Sequence, residues 1–567
     1  MLPWTLELTR NAGMRPVIPG VVRSPSRRVV VAALLALSLA LRLAGVDFGL
    51  PMAEARPDEQ TIAYQAMKFG RGDFNPHAFN YPSLFKYIVF ALFGGDYAVG
   101  RALGRFAGQD DFLRAFFAAE TEFRLLVRLW TVAMGTLGVW LLTTGPGRLW
   151  GAALLAVNFL HVRDSHFGVT DITMTTGVTA AVILADRHAR EGGRRWLLGA
   201  ALVAGLATSV KYNAALLAVP LVLSAWFGPR AAREAMVALA VMLAGFLVGT
   251  PYALLDFRQF TTDFTYEVNH LAQGHHVDVG IGYAHHALRT LPHGMGVVGL
   301  VTALVGMGLA FRKRGRRALV LYSFPILYFL AIGKGETAFY RYMLPVVPFL
   351  CMAAGSALRA LANRSTRGGA AVNLVLVAAM PAYSSLHADR LFLAGDTRAA
   401  MGAWIEANVP AQSTIVHAGA YTGAPMLQRN VANNTREYEA RRGRADSAGF
   451  RKPDDMKYYQ GDRPAYDVLF VEKQGIDFAS QVSPAAVVAD PPEYLEVESS
   501  GLTFYSAVPA EIAELVAARY TLVHEEVGSR GTGTGRFDQQ DAFYMPVSGF
   551  RHYDRMGPDL RLFRRAR

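Results

Sequence analysis

Long apolar runs, rather than helical or strand periods, dominate the first 390 residues of this chain. Several runs are shorter than the roughly 20 residues that a straight membrane crossing needs, so tilting or a thinned bilayer is expected. The pattern predicts an α-helical polytopic membrane protein with about eleven spans. The predicted runs lie near residues 28–46, 124–143, 149–163, 172–186, 196–209, 213–227, 235–252, 294–311, 318–332, 343–361 and 370–386.

The helical stretch at 81–104 is the exception among the apolar segments. Lys86 and Asp96 enclose only the uncharged residues 87–95, far fewer than the roughly 20 that cross a bilayer. We therefore predict that this helix lies in the membrane plane. With that assignment, the basic turns near Arg187 and at 312–317 fall on the cytoplasmic side, as the positive-inside rule requires.

The polarity of the chain changes after residue 386. The segment Thr397 to Asn408 has a helical pattern, while 465–471 and 520–524 resemble strands, which predicts an outer-facing α/β domain. The predicted parts of the chain are a cytoplasmic N-terminal segment (1–27), a membrane-embedded domain (28–386) with an outer loop (47–123), and the extracytoplasmic α/β domain (387–567).

Composition and charge agree with a membrane protein. The chain has 567 residues, of which 52% are hydrophobic and 18% charged, and a net charge of +12. Much of the basic excess lies in short turns between apolar runs, so topology explains it better than a nucleic-acid partner does. Four arginines against Glu7 precede the first run, which predicts a cytoplasmic N-terminus and a retained anchor. The single cysteine, Cys351, excludes an intramolecular disulfide and a cysteine metal cluster.

Two adjacent carboxylates follow the first apolar run. Pro57 suits the first position of a helix and Gly70 its end, which places Asp58 and Glu59 at the head of a short helix on the outer face. Carboxylates at this position can perform acid/base chemistry. They can also be stabilised simply by the helix N-terminus.

Further ionisable residues lie at predicted outer ends of spans, where charge is expensive and needs a reason. Asp171, close to His166, can be a helix N-cap or part of a site. Lys211 and Lys86 can extend toward the membrane surface or bind an anion. Arg341 begins a span from the outer side, against the positive-inside bias, and suits either a lipid phosphate or an interfacial anchor.

The loop 253–293 holds six of the fourteen histidines of the chain. A zinc site is conceivable there, but no histidine falls in a recognisable metal motif, so we expect a substrate-contacting or interfacial loop without metal. The sequence contains no phosphate-binding glycine loop, dinucleotide fingerprint or nucleophile elbow, which disfavours a nucleotide-dependent cytoplasmic enzyme.

Five short motifs occur in a characteristic order. The chain resembles the polyprenyl-phosphate-sugar-dependent membrane glycosyltransferases of the C-type fold, which include protein O-mannosyltransferases and lipid A aminoarabinose transferases (glycosyltransferase family 39-like). The resemblance covers about the first 400 residues. The motifs are Arg56-Pro-Asp-Glu59, Tyr81-Pro-Ser-Leu-Phe-Lys-Tyr87, Ser165-His-Phe-Gly-Val-Thr-Asp171, Gly205-Leu-Ala-Thr-Ser-Val-Lys-Tyr212 and Arg341-Tyr-Met-Leu-Pro-Val-Val-Pro348.

The resemblance implies an inverting transfer of a hexose or pentose from an undecaprenyl- or dolichyl-phosphate carrier to an acceptor glycan, lipid or protein at the plasma membrane. It implies Asp58 as the general base, which must be ionised and within hydrogen-bond reach of the acceptor hydroxyl, and Glu59 as an aid to acceptor placement. Arg56 replaces the tyrosine or histidine that often precedes the proline in the family.

The same resemblance implies no nucleotide cofactor and no metal. It implies that Lys86, Lys211 and Arg341 neutralise the departing lipid phosphate, and that His166 and Asp171 position a substrate. The alternatives are a transporter or lipid-linked saccharide flippase, which should show paired repeats and midplane charges, and a catalytically inactive relative that binds a lipid carrier.

Overall fold

The computed structural model describes residues 26–52, 55–118, 121–226, 230–441, 463–473, 480–530 and 535–566. The predicted cytoplasmic segment 1–27 therefore lies outside the described residues, except for Ser26 and Arg27.

The described residues before position 394 are mostly helical, as the apolar runs predict. Their α-helices, numbered in chain order, are α1 (Arg27–Leu43), α2 (Pro57–Lys68), α3 (Leu84–Ala102), α4 (Gln109–Ala118), α5 (Thr121–Thr144), α6 (Arg148–Ala156), α7 (Phe159–Asp164), α8 (Thr170–Glu191), α9 (Arg194–Val210), α10 (Ala218–Trp226), α11 (Ala231–Gly249), α12 (Tyr252–Leu255), α13 (Phe257–Gln273), α14 (Gly282–His285), α15 (Leu291–Met295), α16 (Val297–Ile332), α17 (Val347–Ala362) and α18 (Arg367–Leu393). Tighter 3-10 turns at Phe69–Arg71, Tyr212–Leu217 and Tyr340–Val346, and a wider π turn at His286–Thr290, extend some of these helices.

Five helical segments of the described chain are long and apolar enough to cross a membrane, and a bent pair of helices makes a possible sixth. The helical character of this part is confirmed, whereas the count of about eleven spans stays a prediction. Helix α3 is not among these segments, and its in-plane position also stays a prediction. The five segments are Thr121–Thr144, Ala231–Gly249, Gly315–Ile332, Tyr340–Ala362 and Gly368–Leu393, and the bent pair is Gly282–Met295 with Val297–Lys313.

Helix α16 is helical over 36 residues but does not run straight. A Cβ atom on Gly306 would lie 2.1 Å from the carbonyl oxygen of Ala353, and the rings of Phe324 and Phe349 are 5.8 Å apart. Gly306 and Phe324 would be about 27 Å apart along the axis if α16 were straight. Their partners in α17, Ala353 and Phe349, are only about 6 Å apart along that helix. The helix therefore bends back at its basic middle, and both halves pack along α17.

Small residues let the helices of the bundle approach each other closely. A Cβ on Gly205 of α9 would lie 2.1 Å from the carbonyl oxygen of Met242 in α11, and one on Gly245 would lie 2.9 Å from that of Leu202. Glycines at such crossings allow backbone contact between helices that have little hydrophobic drive to associate in lipid.

The described residues after 396 form an α/β arrangement around one sheet. The strand order is β2-β3-β1-β5-β7-β6, with β4 beside β3; β2, β3, β4, β1 and β5 are parallel, and β7 is antiparallel to both β5 and β6. The strands are β1 (Thr414–Ala418), β2 (Gln428–Arg429), β3 (Ala465–Val471), β4 (Gln481–Val482), β5 (Tyr494–Ser499), β6 (Tyr520–Glu526) and β7 (Asp559–Arg565), and the helices are α19 (Thr397–Asn408), α20 (Val431–Arg441), α21 (Pro484–Ala489) and α22 (Ala510–Arg519).

The predicted helix Thr397–Asn408 and the strand Ala465–Val471 have the expected bounds, and the strand from Tyr520 continues to Glu526. The central strand β1 is buried on both faces. Ile415 joins an apolar cluster with Met401 of α19, and Val416 joins another with Ile512 of α22, as expected for a parallel strand covered on both sides.

We expect Gly205→Val to destabilise the bundle by about 3 kcal/mol or more, because the new side chain meets the backbone of α11. The matched control is Gly199→Val in the same helix, where a Cβ atom meets only Leu184 Cδ1 at 3.8 Å. Thermal unfolding of the purified variants, with size-exclusion chromatography as the readout, measures the difference in stability between them. Equal melting temperatures for the two variants would contradict this packing.

Candidate functional site

Helix α2 begins where the sequence predicts, and its last α-helical residue is Lys68. Arg56 is its N-cap, Pro57 its first residue, and Asp58 and Glu59 lie in its first turn. The predicted stop at Gly70 therefore lies directly after the C-cap, Phe69, and a separate 3-10 turn covers Phe69–Arg71 before Gly72 adopts the left-handed conformation with φ of 89°. The two carboxylates have different surroundings: Asp58 is 34% exposed, whereas Glu59 is 3% exposed.

Four charged side chains from distant parts of the chain meet beside α2, and we call them the charge quartet: Arg56, Asp58, Arg341 and Asp541. Arg56 Nη1 donates to Asp541 Oδ1 at 2.8 Å, and Arg341 Nη1 donates to Asp541 Oδ2 at 3.0 Å. The other terminal nitrogens approach Asp58 Oδ2, at 3.3 Å from Arg341 and 3.7 Å from Arg56. Asp541 is thus firmly bound, while Asp58 is held by longer ion pairs and keeps an open side.

Asp541 belongs to a C-terminal segment that docks on the loop of the helical part around Ala338 and Tyr340. Asp538 Oδ2 accepts a hydrogen bond from Tyr340 N at 2.8 Å, and Gln540 Oε1 accepts one from Ala338 N at 2.6 Å. Burial opposes ionisation of Asp541, but the two arginines outweigh it and hold the pKa of Asp541 well below its usual value. The C-terminal segment therefore contributes a fixed negative charge to the site.

Glu59 is bound on all sides by the protein. Arg128 donates to both carboxylate oxygens, with Nε at 2.9 Å from Oε1 and Nη2 at 2.8 Å from Oε2. The backbone N–H of Gly168 donates to Oε1 at 2.7 Å. Arg128 also donates to the carbonyl oxygens of Val46 and Phe48. Glu59 thus ties α2 to α5 and to the turn before α8, and it lies away from open space.

Asp171 and Lys211 form a direct ion pair, with Nζ 2.7 Å from Oδ1. The N-cap of α8 is Val169, so the alternative that Asp171 is only a capping residue is wrong. The side chain of Lys211 is 11% exposed and lies against the ring of Tyr342 at 5.3 Å, so it does not extend to the membrane surface. Of this pair, Lys211 lines a large cavity.

This cavity has a volume of about 670 Å³ and two chemically different ends. Its polar residues are Asn80, Tyr81, Thr208, Lys211, Tyr212, Asn213, Glu267 and Tyr342, and its apolar wall includes Leu216, Leu239, Met242, Leu243, Phe246, Phe260 and Phe264. The negative charge of Asp58, together with burial, raises the pKa of the Tyr81 hydroxyl well above its usual value, so Tyr81 joins the cavity to the charge quartet. We call this space the lipid-sized cavity.

The side chain of Glu267 is the titratable carboxyl group at the polar end of the cavity. Burial raises the pKa of Glu267 to about 7, although the positive charge of Lys211 opposes the shift. The net charge of the polar end therefore changes near neutral pH.

Of the predicted site residues, Lys211 alone lines the cavity, and Lys86 and His166 belong neither to its wall nor to the charge quartet. Lys86 is buried under the loop that carries Asn80 and Tyr81, and its Nζ donates to Ala78 O at 2.6 Å. The ring nitrogens of His166 lie 2.9 Å from Val162 O and 3.1 Å from Ala44 O, and the ring packs on Phe392. The catalytic and binding roles of both residues stay predictions.

The histidines of loop 253–293 fall into separate small contacts. His270 Nε2 lies 3.1 Å from His275 Nδ1, and His276 stacks on Phe504 of the C-terminal region at 5.2 Å. Among the described residues, no three histidine, cysteine, aspartate or glutamate side chains converge as metal ligands. This loop joins the helical part to the C-terminal part.

Sequence reasoning missed Tyr81, Glu267 and Asp541 as members of the site. Tyr81 begins one of the motifs, so its position offered a signal. Glu267 lies in an amphipathic helix, and no sequence motif marks it as a site residue. Asp541 is 485 positions from the arginine that it binds. Only the packing of the chain brings the last two into the site.

Neither a protein-family model nor a curated protein sequence matches this chain. Solved structures that are similar to it include ArnT from Cupriavidus metallidurans in the apo state, with 14% identity, a TM-score of 0.49 and coverage of 88% of this chain and 97% of that one. The same enzyme bound to undecaprenyl phosphate has 17% identity, a TM-score of 0.45 and coverage of 65% and 70%. The Archaeoglobus fulgidus oligosaccharyltransferase has 13% identity, a TM-score of 0.42 and coverage of 69% and 62%. All three TM-scores are below 0.5, and all three identities are below 25%.

We expect Glu59→Gln to lower the melting temperature by about 5–10 °C, because it leaves the buried guanidinium of Arg128 without its counter-charge. The matched variant is Asp58→Asn in the same helical turn, which should change the melting temperature by no more than about 2 °C since both nearby arginines keep Asp541. Thermal unfolding of the purified variants measures both. A larger decrease in melting temperature for Asp58→Asn than for Glu59→Gln would contradict a structural role for Glu59 and an open, weakly held Asp58.

Proposed function

We propose that the protein is a glycosyltransferase that moves a sugar from a polyprenyl phosphate carrier to an acceptor hydroxyl at the outer face of the plasma membrane. The observation that carries this proposal is the lipid-sized cavity. It joins a long apolar wall to a polar end with Lys211, and through Tyr81 it reaches Asp58 and Arg341. A lipid chain with a phosphate at its end has the same division into apolar and anionic parts.

The proposed step is an inverting displacement at the anomeric carbon of the sugar. The carboxylate of Asp58 accepts the proton of the acceptor hydroxyl, and the freed oxygen electron pair forms the new bond to the anomeric carbon. The bond between that carbon and the phosphate oxygen breaks, and the polyprenyl phosphate leaves with the electron pair. Asp58 suits this task because it is the one member of the charge quartet with an open side.

Positive charge near the leaving phosphate would come from Arg341 and Lys211. Both are already paired with carboxylates, so the donor phosphate meets a site that is close to neutral. The Nη2 atom of Arg341, at 3.3 Å from Asp58, makes the longer of its two contacts and is the atom best able to turn to a phosphate oxygen. This arrangement uses protein cations, without a nucleotide cofactor or a metal ion.

The remaining predicted residues receive positioning roles in this proposal. Asp171 orients Lys211 through their ion pair. Glu59 holds the first turn of α2, and therefore Asp58, against α5 through Arg128. Lys86 supports the loop that brings Tyr81 to the cavity, through its bond to Ala78 O.

The central test is sugar transfer from synthetic polyprenyl-phosphate donors by membranes that contain the wild type or Asp58→Asn. We expect the substitution to reduce kcat by about 10²–10⁴-fold, the range lost with a general base. Asp73→Asn is the matched control, because Asp73 is 60% exposed and binds only surface groups.

The variant Arg341→Ala should raise the KM for the donor while acceptor binding is retained.

Equal transfer by Asp58→Asn and wild type would remove Asp58 as the base. The absence of transfer with every polyprenyl-phosphate donor tested would refute the proposed activity and favour a transporter or flippase.

The pH dependence of donor use tests the polar end of the cavity. Glu267 is mostly protonated below its pKa of about 7 and becomes negative above it, so the ionised form repels the donor phosphodiester at higher pH. We expect the donor KM to rise by about fivefold between pH 6 and pH 8, which corresponds to roughly 1 kcal/mol of repulsion. Glu267→Gln should flatten this rise. A rise of equal size in Glu267→Gln would contradict a role for this carboxyl.

A further inference from the structure

A second cavity, of about 460 Å³, lies at the end of the helical bundle opposite to the charge quartet. Helices α5 and α8 both start near the candidate active site and end at this cavity. Asp171 and Arg190 are nineteen positions apart in α8, which is about 28 Å along the helix. Since a hydrocarbon core is about 30 Å thick, the second cavity opens near the other membrane surface.

Basic side chains from four separate parts of the bundle line this cavity, which we call the basic pocket. They come from the start of α6, the end of α8, the bend of α16 and the end of α17. The basic residues are Arg148, Arg190, Lys313, Arg317 and Arg359, and Thr144, Ser356 and Asn363 add uncharged polar groups.

The carboxylates near the basic pocket are fewer than its basic side chains. Asp186 binds Arg317 through Nε at 2.5 Å and Nη2 at 2.9 Å, and it also accepts from Arg190 Nε at 3.1 Å. Within the part of the chain that the structure describes, Arg148, Lys313 and Arg359 have no carboxylate at ion-pair distance. The pocket therefore holds three uncompensated positive charges around a concave space.

Topology alone does not account for this arrangement. The positive-inside bias requires basic residues in the turns on one side of a membrane, but it does not require them to converge on one cavity. Arg148 also adopts a left-handed backbone conformation, with φ of 45°, directly after Gly147 with φ of 78°. A non-glycine residue in this conformation is strained, and such strain concentrates at binding sites.

We propose that the basic pocket binds an anionic phosphate group. Phosphate oxygens accept charge-assisted hydrogen bonds from arginine and lysine, and basic pockets between membrane helices bind the head groups of acidic lipids. Leu309 and Leu321 add apolar surface beside the cations, which suits the glycerol and first acyl carbons of a phospholipid. The same chemistry would accept a soluble phosphate, so the experiment separates the two sources.

The test uses the full-length protein in detergent and in nanodiscs. Native mass spectrometry compares retention of phosphatidylglycerol with that of the net-neutral phosphatidylcholine, and titration with inorganic phosphate or pyrophosphate measures binding of soluble anions. The pocket variant is Lys313→Gln with Arg359→Gln. The matched control is Arg312→Gln with Arg364→Gln, which removes the same charge from neighbouring exposed residues that do not line the pocket.

We expect the pocket variant to lose roughly 20-fold in affinity, because each basic residue near an anionic surface contributes a factor of about five, whereas the control should retain most of its binding. Retention of phosphatidylglycerol that inorganic phosphate does not displace identifies a lipid as the ligand. Binding of phosphate or pyrophosphate that the pocket variant loses identifies a soluble anion. Equal binding by the pocket and control variants, or no preference of the wild type for net anions over phosphatidylcholine, would overturn the proposal.

A second variant guards against a folding defect. Arg148→Gly removes one charge and also permits the left-handed backbone, so it should keep or raise the melting temperature while anion binding falls about fivefold. Anion binding by Arg148→Gly at the wild-type level would count against the pocket. This proposal is independent of the activity at Asp58.

Discussion

The candidate site of this protein depends on the neutralisation of two buried guanidinium groups. Arg56 is 1% exposed and Arg341 is 8% exposed, and an unpaired buried charge costs several kcal/mol. Asp541 accepts one hydrogen bond from each arginine, and Asp58 supplies the second negative charge. The C-terminal segment is therefore part of the wall of the candidate site, and α2, the turn at Tyr340–Val346 and residues 538–541 must be in place together.

The charge quartet separates a structural carboxylate from one that is available for chemistry. Asp541 accepts the short hydrogen bonds and is ionised at any physiological pH, because the arginines hold its pKa low. Asp58 receives the remaining, longer contacts and faces open space. The arginine at position 56 is thus matched by a carboxylate from the C-terminal region.

The two ends of the helical bundle use charge in opposite ways. At the end that carries the candidate site, cations and anions pair across elements: Lys211 with Asp171, Arg128 with Glu59, and the two arginines of the charge quartet with two aspartates. At the other end, Asp186 serves two arginines while further cations of the basic pocket keep no carboxylate partner in the described chain. A paired surface has little net charge, whereas an unpaired one attracts anions.

The amino-acid sequence by itself determined the local features of this protein. The apolar runs predicted helices, Pro57 marked the start of α2, and the patterns at Thr397–Asn408 and Ala465–Val471 predicted a helix and a strand of the observed extent. These features depend on neighbouring residues, since propensity, capping and hydrophobic length act within a few turns. The position of Asp58 at an exposed helix start follows from the same local signals.

Only the tertiary structure decided which charges meet. The sequence could not show that Glu59 is enclosed by Arg128, that Lys86 points to a backbone carbonyl away from the cavity, or that Asp541 binds Arg56. Adjacent residues on a helix face different directions, and the rotation of each helix against its neighbours sets which one is buried. Pairing across hundreds of residues therefore follows from packing, and the local sequence leaves it open.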